Sequence, residues 1–164
     1  VQLISESLGK SITTSGSETN LNTCPQIIYG LGPNAQHSFF QQLHQSKEIT
    51  PCEFIFSKPK TPNQNHMLQQ ICGQMVALAE GKDSIDAFNK FTGNRPSTLL
   101  YLKNQSAEAL GSLVATYENR VMFESFLLDI NAFDQPGVEL GKALAKAITK
   151  SGSDLASQIY QSIS

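Results

Sequence analysis

The chain has 164 residues, which is enough for one domain with a hydrophobic core and too few for two ordinary domains. Hydrophobic residues make up 40% of it and charged residues 16%, a composition that excludes intrinsic disorder. The formal net charge of -2 excludes a broad basic field for nucleic acid or an anionic membrane, and no apolar run is long enough to span a bilayer. The three cysteines show no close pairing, which argues against a disulfide framework or a metal site and favours reduced thiols in the cytoplasm.

The predicted elements alternate between strands and helices along the chain. Residues 1–22 are polar and rich in Ser, Thr and Asn, so we interpret them as a loop. Short runs rich in β-branched or aromatic residues and bounded by Pro or Gly predict buried strands at 26–30, 52–56 and 97–102. Helical patterns begin at Asn34 and cover 66–81, 84–91, 106–130 and 138–150, with Ser106 and Gly81 as caps and a weaker pattern near the C-terminus. This order predicts a parallel sheet covered by helices on both faces.

One histidine lies where a sheet of this kind binds ligands. The helix predicted from Asn34 follows the first predicted strand, so Gln36 and His37 are expected in its first turn, at the carboxyl end of that strand. An imidazole in that place can exchange protons with a ligand. Spacing alone nevertheless favours a histidine that merely packs or caps its helix.

The run from 130 to 148, INAFDQPGVELGKALAKAI, combines a turn with an amphipathic helix. Pro136 and Gly137 break whatever precedes them, and the helix that follows carries Leu140, Leu144, Ala145 and Ile148 on its apolar face. Lys142 lies on the border of that face, where a lysine usually packs its stem and keeps its amine in water. The pattern alone assigns no role to Lys142 or Gln135, and it makes Glu6 an ordinary solvated carboxylate.

Several stretches together resemble the glucose-6-phosphate isomerase family, also called phosphoglucose isomerase. The run FDQPGVELGK at 133–142 resembles the family's C-terminal signature, although Pro136 stands where Trp is common. The stretches ESLGKS, AQHSFFQQLHQ, PCEFIF, TGNRPSTLLYL and LGSLVATYENRVMFESFLLDI also resemble family segments and follow in family order, and Leu8 replaces a common Asn. Members of the family are about three times as long, so the chain is similar to a C-terminal fragment that lacks the upstream Gly-Arg pair and phosphate-binding Ser/Thr residues.

The resemblance implies a fold and a domain division. The fold is a three-layer αβα sugar-isomerase domain with a mainly parallel sheet, followed by C-terminal helices. Residues 1–130 would be the C-terminal part of the second sugar-isomerase domain, including the long helix. Residues 131–164 would be the signature helix and the tail.

The resemblance also implies roles for five residues. Glu6 matches the family's general base, and Gln2 matches a glutamine that contacts the substrate. His37 matches the histidine implicated in opening the sugar ring. Gln135 matches a glutamine near the substrate phosphate, and Lys142 matches the active-site lysine that ends the signature.

The implied reaction converts glucose 6-phosphate to fructose 6-phosphate by ring opening and proton transfer through a cis-enediol. It needs no metal or organic cofactor. The resemblance further implies a homodimer with shared active sites, and the composition predicts a cytoplasmic protein with no nucleic-acid or membrane partner. The alternative is a non-catalytic domain of the same fold that binds sugar phosphates, but a sensor has no need for the general base that Glu6 would supply.

Overall fold

The computed structural model describes residues 1–148 and 152–164, and their contacts form two compact units. One unit joins Val1–Gln26 to Tyr117–Ser164, and the other is Ile27–Thr116. In chain order the elements are α1 Gln2–Leu8, α2 Gly32–Gln36, α3 Phe40–Gln45, β1 Cys52–Ser57, α4 Pro62–Glu80, β2 Ser97–Leu102, α5 Ala107–Leu127, α6 Pro136–Ala147 and α7 Leu155–Ile163. None of the helices in the described ranges is both long and apolar enough to cross a bilayer.

The sheet of the described residues consists of the parallel strands β1 and β2. Their register runs from Cys52 opposite Ser97 to Ser57 opposite Leu102. These are the second and third predicted strands, and the parallel mixed α/β class is confirmed. The first predicted strand, at 26–30, is wrong: the segment is irregular, and Tyr29 is 81% exposed. A strand requires a hydrogen-bonding neighbour as well as suitable residues, and the described residues supply none there.

The helices of the second unit pack on β1 through aromatic and aliphatic side chains. Ala35 of α2, Phe40 and Leu43 of α3 and Leu78 of α4 form its buried cluster, and Phe54 of β1 packs against them. Thr61 begins α4 by accepting a hydrogen bond from the Gln64 backbone N–H through its hydroxyl at 3.3 Å. The predicted helix at 66–81 therefore exists and starts four residues earlier than expected.

Backbone contacts join the two ends of the loop that connects α4 to β2, and residues 81–82 and 91–93 form this base of the loop. Gly81, the predicted C-cap of α4, has φ 69°, and Gly93 has φ 66°, both in the left-handed region that glycine adopts without strain. A Cβ on Gly81 would collide with the backbone of Phe91 and Gly93. Lys82 and Phe91 exchange backbone hydrogen bonds of 2.9 and 2.8 Å across this base. Within the loop, the helix predicted at 84–91 shortens to a single 3₁₀ turn, Ala87–Asn89, that Asp86 caps.

The first unit contains a helix where a loop was predicted. α1 forms because Ile4 and Leu8, one helical turn apart, both face the interior. Leu8 is buried with Val121 of α5 and with Ile130, and Ile4 packs against this cluster. The prediction of a loop was wrong because the apolar residues are few, and their periodicity is hidden among serines. Packing against α5 stabilises the helix more than local propensity does.

α5 begins as its sequence predicts. The Ser106 hydroxyl accepts a hydrogen bond from the Ala109 backbone N–H at 3.2 Å, which is the geometry of a helix N-cap. A hydrogen bond from the Ser106 side chain also lowers the pKa of Glu108, in the first turn. The helix ends at Leu127, and Asp129 then adopts φ 52°. The backbone N–H of Thr14 donates to the Asp129 carbonyl at 2.8 Å, which fixes this turn.

α6 is amphipathic, as predicted, and α7 forms where a weaker helical pattern was predicted. α6 starts at Pro136, two residues before its predicted start, because proline is well suited to the first turn of a helix. The last residues predicted for this helix, 149 and 150, lie outside the described residues. Its apolar face is exposed in this chain, with Leu140 65% and Leu144 52% accessible. Asp154 is the N-cap of α7, and its carboxylate accepts hydrogen bonds from the backbone N–H and the hydroxyl of Ser157 at 2.9 and 2.7 Å.

Candidate active site

α1 brings two of the predicted site residues together. Gln2 and Glu6 lie one turn apart on the same face, and Gln2 Nε2 donates a hydrogen bond to Glu6 Oε1 at 3.2 Å. Glu6 is half-buried, whereas Gln2 is exposed. The Glu6 carboxylate is thus held by an amide donor while part of it remains accessible to a ligand. The apolar side of the same helix, through Ile4 and Leu8, fixes the direction of this polar face.

The C-terminal end of α1 is closed by glycine and lysine. The Gly9 N–H donates to the Ser5 carbonyl at 3.1 Å, and a Cβ at Gly9 would lie 2.6 Å from that same oxygen. Lys10 Nζ donates to the carbonyl oxygens of Glu6 at 2.5 Å and of Ser7 at 3.1 Å. These carbonyls belong to the last turn, where a helix leaves its acceptors without intrahelical partners and favours a positive charge.

The turn that precedes α6 is built on asparagine and aspartate. Asn131 accepts a hydrogen bond from the Phe133 backbone N–H at 2.9 Å, and its amide donates to Asp134 Oδ2 at 2.9 Å. Gln135 is the N-cap of α6, but its side chain makes no capping hydrogen bond. Its amide is therefore exposed at the start of the helix and is not committed to capping it.

One ion pair connects these two segments. Lys10 Nζ lies 3.5 Å from Asp134 Oδ1, and the lysine side chain is only 11% exposed. The backbone of Lys10 is fixed as well, because Thr23 Oγ1 donates to its carbonyl at 2.7 Å and accepts from its N–H at 3.3 Å. The end of α1, which carries Glu6, is thereby tied to the residue immediately before Gln135.

Lys142 lies in the second turn of α6 and pairs with a neighbour on its own helix. Its Nζ donates to Glu139 Oε1 at 2.9 Å, and the two side chains are 61% and 72% exposed. An exposed pair of this kind contributes little to stability, so it leaves the ammonium able to exchange its partner. The chain therefore presents Lys142 at its surface.

His37 belongs to the second unit, and its local setting differs from the prediction. The residue follows α2 as its C-cap, with φ -97° and ψ 9°, and it is exposed. Asn34 is a residue within α2 and not the N-cap, since Gly32–Pro33 already starts that helix after Leu31. The expectation that His37 lies in the first turn of a helix is wrong, because two short helices replace the single predicted one.

Each unit has a cavity among its described residues. The cavity of about 310 Å³ in the first unit is bounded by α1, α5 and Phe133. The cavity of about 540 Å³ in the second unit lies between the end of α3 and the loop before β2. The five predicted site residues line neither of them. Gln2, Glu6, His37, Gln135 and Lys142 are therefore surface or half-buried groups in this chain.

Lys10 and Asp134 are the residues that the sequence analysis missed. A glycine followed by a lysine is typical of a helix C-terminus, where glycine ends the helix and lysine binds its last carbonyls. That signal was present at Gly9-Lys10, but it has no meaning inside a predicted loop. Asp134 belongs to the turn before α6, where an aspartate is an ordinary residue.

The fold and the polar face of α1 define a mixed α/β protein with a carboxylate–amide pair on its first helix. A sequence model of the family named phosphoglucose isomerase matches residues 1–162. The chain therefore belongs to the phosphoglucose isomerase family.

Individual relatives agree with this assignment. The glucose-6-phosphate isomerase of Borreliella afzelii is 41% identical over 159 residues, which are 91% of this chain and 30% of that protein. That of Stenotrophomonas maltophilia is 44% identical over 151 residues, which are 90% of this chain and 30% of that protein. A crystal structure of a glucose-6-phosphate isomerase from Chlamydia trachomatis superposes with a TM-score of 0.82 at 39% identity, covering 89% of this chain and 30% of that one. The chain thus spans about a third of the length of its relatives.

Proposed function

We propose that this chain is the C-terminal part of a glucose-6-phosphate isomerase and supplies that enzyme's general base. The observation that carries the proposal is the pairing of Gln2 with Glu6 on one face of α1, in a chain that matches the family over residues 1–162. A half-buried carboxylate beside a neutral amide donor suits a base that must accept a proton and return it. In this proposal residues 1–130 belong to the second sugar-isomerase domain, and residues 131–164 form the signature helix and tail.

The chemical step would be a proton transfer between adjacent carbons. The C2 proton of open-chain glucose 6-phosphate lies beside the carbonyl, so its removal by the Glu6 carboxylate gives a cis-enediol or enediolate. The protonated Glu6 then returns the proton to C1 while the proton of the O2 hydroxyl passes to O1, so C2 becomes the carbonyl carbon and the product is fructose 6-phosphate. No electrons leave the substrate, so the step requires no metal or organic cofactor.

Ring opening would precede that step. It needs a proton at the ring oxygen and removal of a proton from the anomeric hydroxyl, and imidazole performs either task near neutral pH. We assign this work to His37 with Lys142. Gln135, whose amide is uncommitted at the start of α6, would donate to the substrate phosphate.

The remaining groups would come from outside these 164 residues. A fixed cation must stabilise the charge that develops on the enediolate oxygen, and further donors must hold the phosphate. The five predicted site residues lie at or near the surface of this chain, and this supports the assignment of the other groups to further polypeptide, which would be needed to enclose a pocket over them. The proposal includes a cytoplasmic homodimer whose two active sites share residues.

The test uses both the isolated chain and the full-length protein that contains it. The isolated chain should show no isomerisation in a coupled assay, since loss of one oriented electrostatic donor alone costs on the order of a hundredfold. In the full-length protein, Glu6→Gln should abolish both turnover and the exchange of the substrate C2 proton with deuterium from solvent. Retained exchange in a folded Glu6→Gln protein would show that another group is the base.

A further inference from the structure

We infer that Lys10 is a positioning residue for the active site, which fixes the base-bearing end of α1 against the turn that presents Gln135. The inference rests on the proposed function, because it takes Glu6 as the base and Gln135 as a phosphate ligand. Lys10 itself would touch neither the substrate nor the reacting atoms. It acts through the backbone of Glu6 on one side and through Asp134 on the other.

The bonds from Lys10 to α1 fix the helix turn that carries the base. Its ammonium donates to the Glu6 carbonyl at 2.5 Å and to the Ser7 carbonyl at 3.1 Å. Without a donor these end-of-helix carbonyls would have to turn toward water, and the last turn of a seven-residue helix would fray. The Glu6 carboxylate is attached to that turn, so fraying would displace it directly.

The third contact of the ammonium reaches the other segment. Lys10 Nζ forms an ion pair with Asp134 Oδ1 at 3.5 Å, and Asn131 Nδ2 donates a hydrogen bond to Asp134 Oδ2 at 2.9 Å. The lysine of this pair is largely buried, with its side chain 11% exposed, whereas the aspartate side chain is 49% exposed. A partly shielded pair is screened less by salt than a fully exposed one such as Lys142–Glu139.

Lys10 is itself held in place, which is a requirement for a positioning residue. The Thr23 side chain is hydrogen-bonded to both the N–H and the carbonyl of Lys10, and Thr23 is buried. A lysine that only solubilised the surface would need no such anchoring of its backbone. One ammonium group therefore holds both the segment that carries Glu6 and the segment that carries Gln135, and the proposed reaction needs these two residues at defined positions.

Loss of the hydrogen bonds from Lys10 to α1 and loss of the Lys10–Asp134 ion pair should have different kinetic effects. Lys10→Met keeps the length of the side chain but removes all three contacts, so kcat should fall on the order of ten- to a hundredfold, and KM should rise. Asp134→Asn removes only the ion pair beside Gln135, so KM for glucose 6-phosphate should rise while kcat stays within about threefold of wild type. Lys10→Arg keeps the charge, so its KM should be close to that of wild type, while its kcat should lie between those of Lys10→Met and wild type.

The experiment measures these variants in the full-length protein, with Lys90→Met as the matched control. Lys90 is also an ion-paired lysine, 2.9 Å from Asp83, but it belongs to the second unit and has no place in the proposed machinery. The folded fraction is determined by circular dichroism, and kcat is expressed per folded protein. Substrate deuterated at C2 supplies a second readout: a misplaced base slows proton transfer, so the isotope effect on kcat should increase in Lys10→Met.

Each outcome decides the inference. A folded Lys10→Met protein with wild-type kcat, KM and isotope effect would overturn it, provided that Glu6→Gln is inactive in the same assay. Loss of kcat without a larger isotope effect would also overturn it, since that result describes a lysine needed only for folding or for another step. If Lys10→Met fails to fold, the Asp134→Asn variant becomes the test. An unchanged KM for glucose 6-phosphate in that variant contradicts the positioning role of Lys10. An active Glu6→Gln protein would instead refute the proposed function itself.

Discussion

Gln2 Nε2 lies 3.2 Å from Glu6 Oε1, so the first helix of the chain presents an amide and a carboxylate as a hydrogen-bonded pair. The pair forms because helical periodicity places residues four apart on the same face. The contact depends on a helix, and the polar sequence of this segment had suggested a loop. It gives Gln2 a role in orienting Glu6 in addition to the substrate contact that the family resemblance implies.

We therefore predict an intermediate effect for loss of the Gln2 donor. Gln2→Leu in the full-length protein preserves the size of the side chain but removes its hydrogen bond, so Glu6 gains rotational freedom. We expect kcat to fall about tenfold, which is far less than for Glu6→Gln, because the base remains present. Steady-state kinetics of both variants test this ranking. Equal losses would mean that Gln2 does more than orient the carboxylate, and an unchanged Gln2→Leu enzyme would remove it from the site.

A mixing experiment tests whether the proposed dimer shares its sites. If His37 serves the partner's pocket while Glu6 and Lys142 serve their own, a mixed dimer of Glu6→Gln and His37→Ala subunits has one doubly damaged pocket and one intact pocket. With random pairing, half of the dimers are mixed and half of their pockets are intact, so activity should recover to about a quarter of wild type. Co-expression of the two inactive variants measures this. No recovery in confirmed mixed dimers would place His37 in its own subunit's pocket.

Gly9→Ala should destabilise the protein for a steric reason. The added Cβ would lie 2.6 Å from the Ser5 carbonyl oxygen, which also accepts the Gly9 N–H, so the end of α1 must shift. We expect a loss of about 1–2 kcal/mol in the free energy of unfolding of the full-length protein. Gly111→Ala is the control, because a Cβ there meets nothing within 4 Å outside its own helix backbone. That change should be neutral or stabilise α5 by about 0.5 kcal/mol, because alanine favours helix interiors. Chemical denaturation of both variants provides the measurement, and equal effects would contradict the clash.

The N-cap of α7 should give a defined dependence on pH. Hydrogen bonds from the Ser157 side chain and backbone hold the pKa of Asp154 below the usual 3.8. Because the folded pKa is the lower one, the contribution of the carboxylate is fully present above pH 3.8 and is lost as the pH falls through the folded pKa. Asp154→Asn keeps a capping acceptor that does not titrate. Wild type should therefore melt at a higher temperature than Asp154→Asn at pH 6, and the difference should shrink toward pH 3. A constant difference would exclude Asp154 as its source.

The sequence predicted those elements whose signal is local. β1 and β2 have dense β-branched and aromatic residues between turn residues, and α5 has a serine cap before a long apolar pattern, so their bounds agree with the structure to within a few residues. α1 and the segment at 26–30 depend on partners distant in the chain: one buries Leu8 against α5, and the other lacks a neighbouring strand among the described residues. A single sequence contains no direct record of such contacts.

The candidate site shows the same division. Glu6 and Lys142 could be named only through resemblance to the family, since each is unremarkable by pattern, whereas the pattern had already placed His37 near the ligand-binding edge of the predicted sheet. Gln135 was expected just before α6, and the structure has it there as the N-cap. Neither route points to Lys10, because the helix-end signal of Gly9-Lys10 lies inside a predicted loop. Its importance lies in three contacts with Glu6, Ser7 and Asp134, and those contacts exist only once α1 and the turn before α6 have folded.

The closed base of the loop between α4 and β2 has a practical consequence. Gly81 and Gly93 approach each other through their backbones, and the Lys82–Phe91 hydrogen bonds join the two sides, so backbone contacts hold the base of the loop. The apex is fully solvent-exposed at Ile85 and nearly so at Phe88. Natural relatives should accordingly vary in loop length at this apex, and a fluorescent label or an inserted epitope there should leave the strand β2 that follows undisturbed.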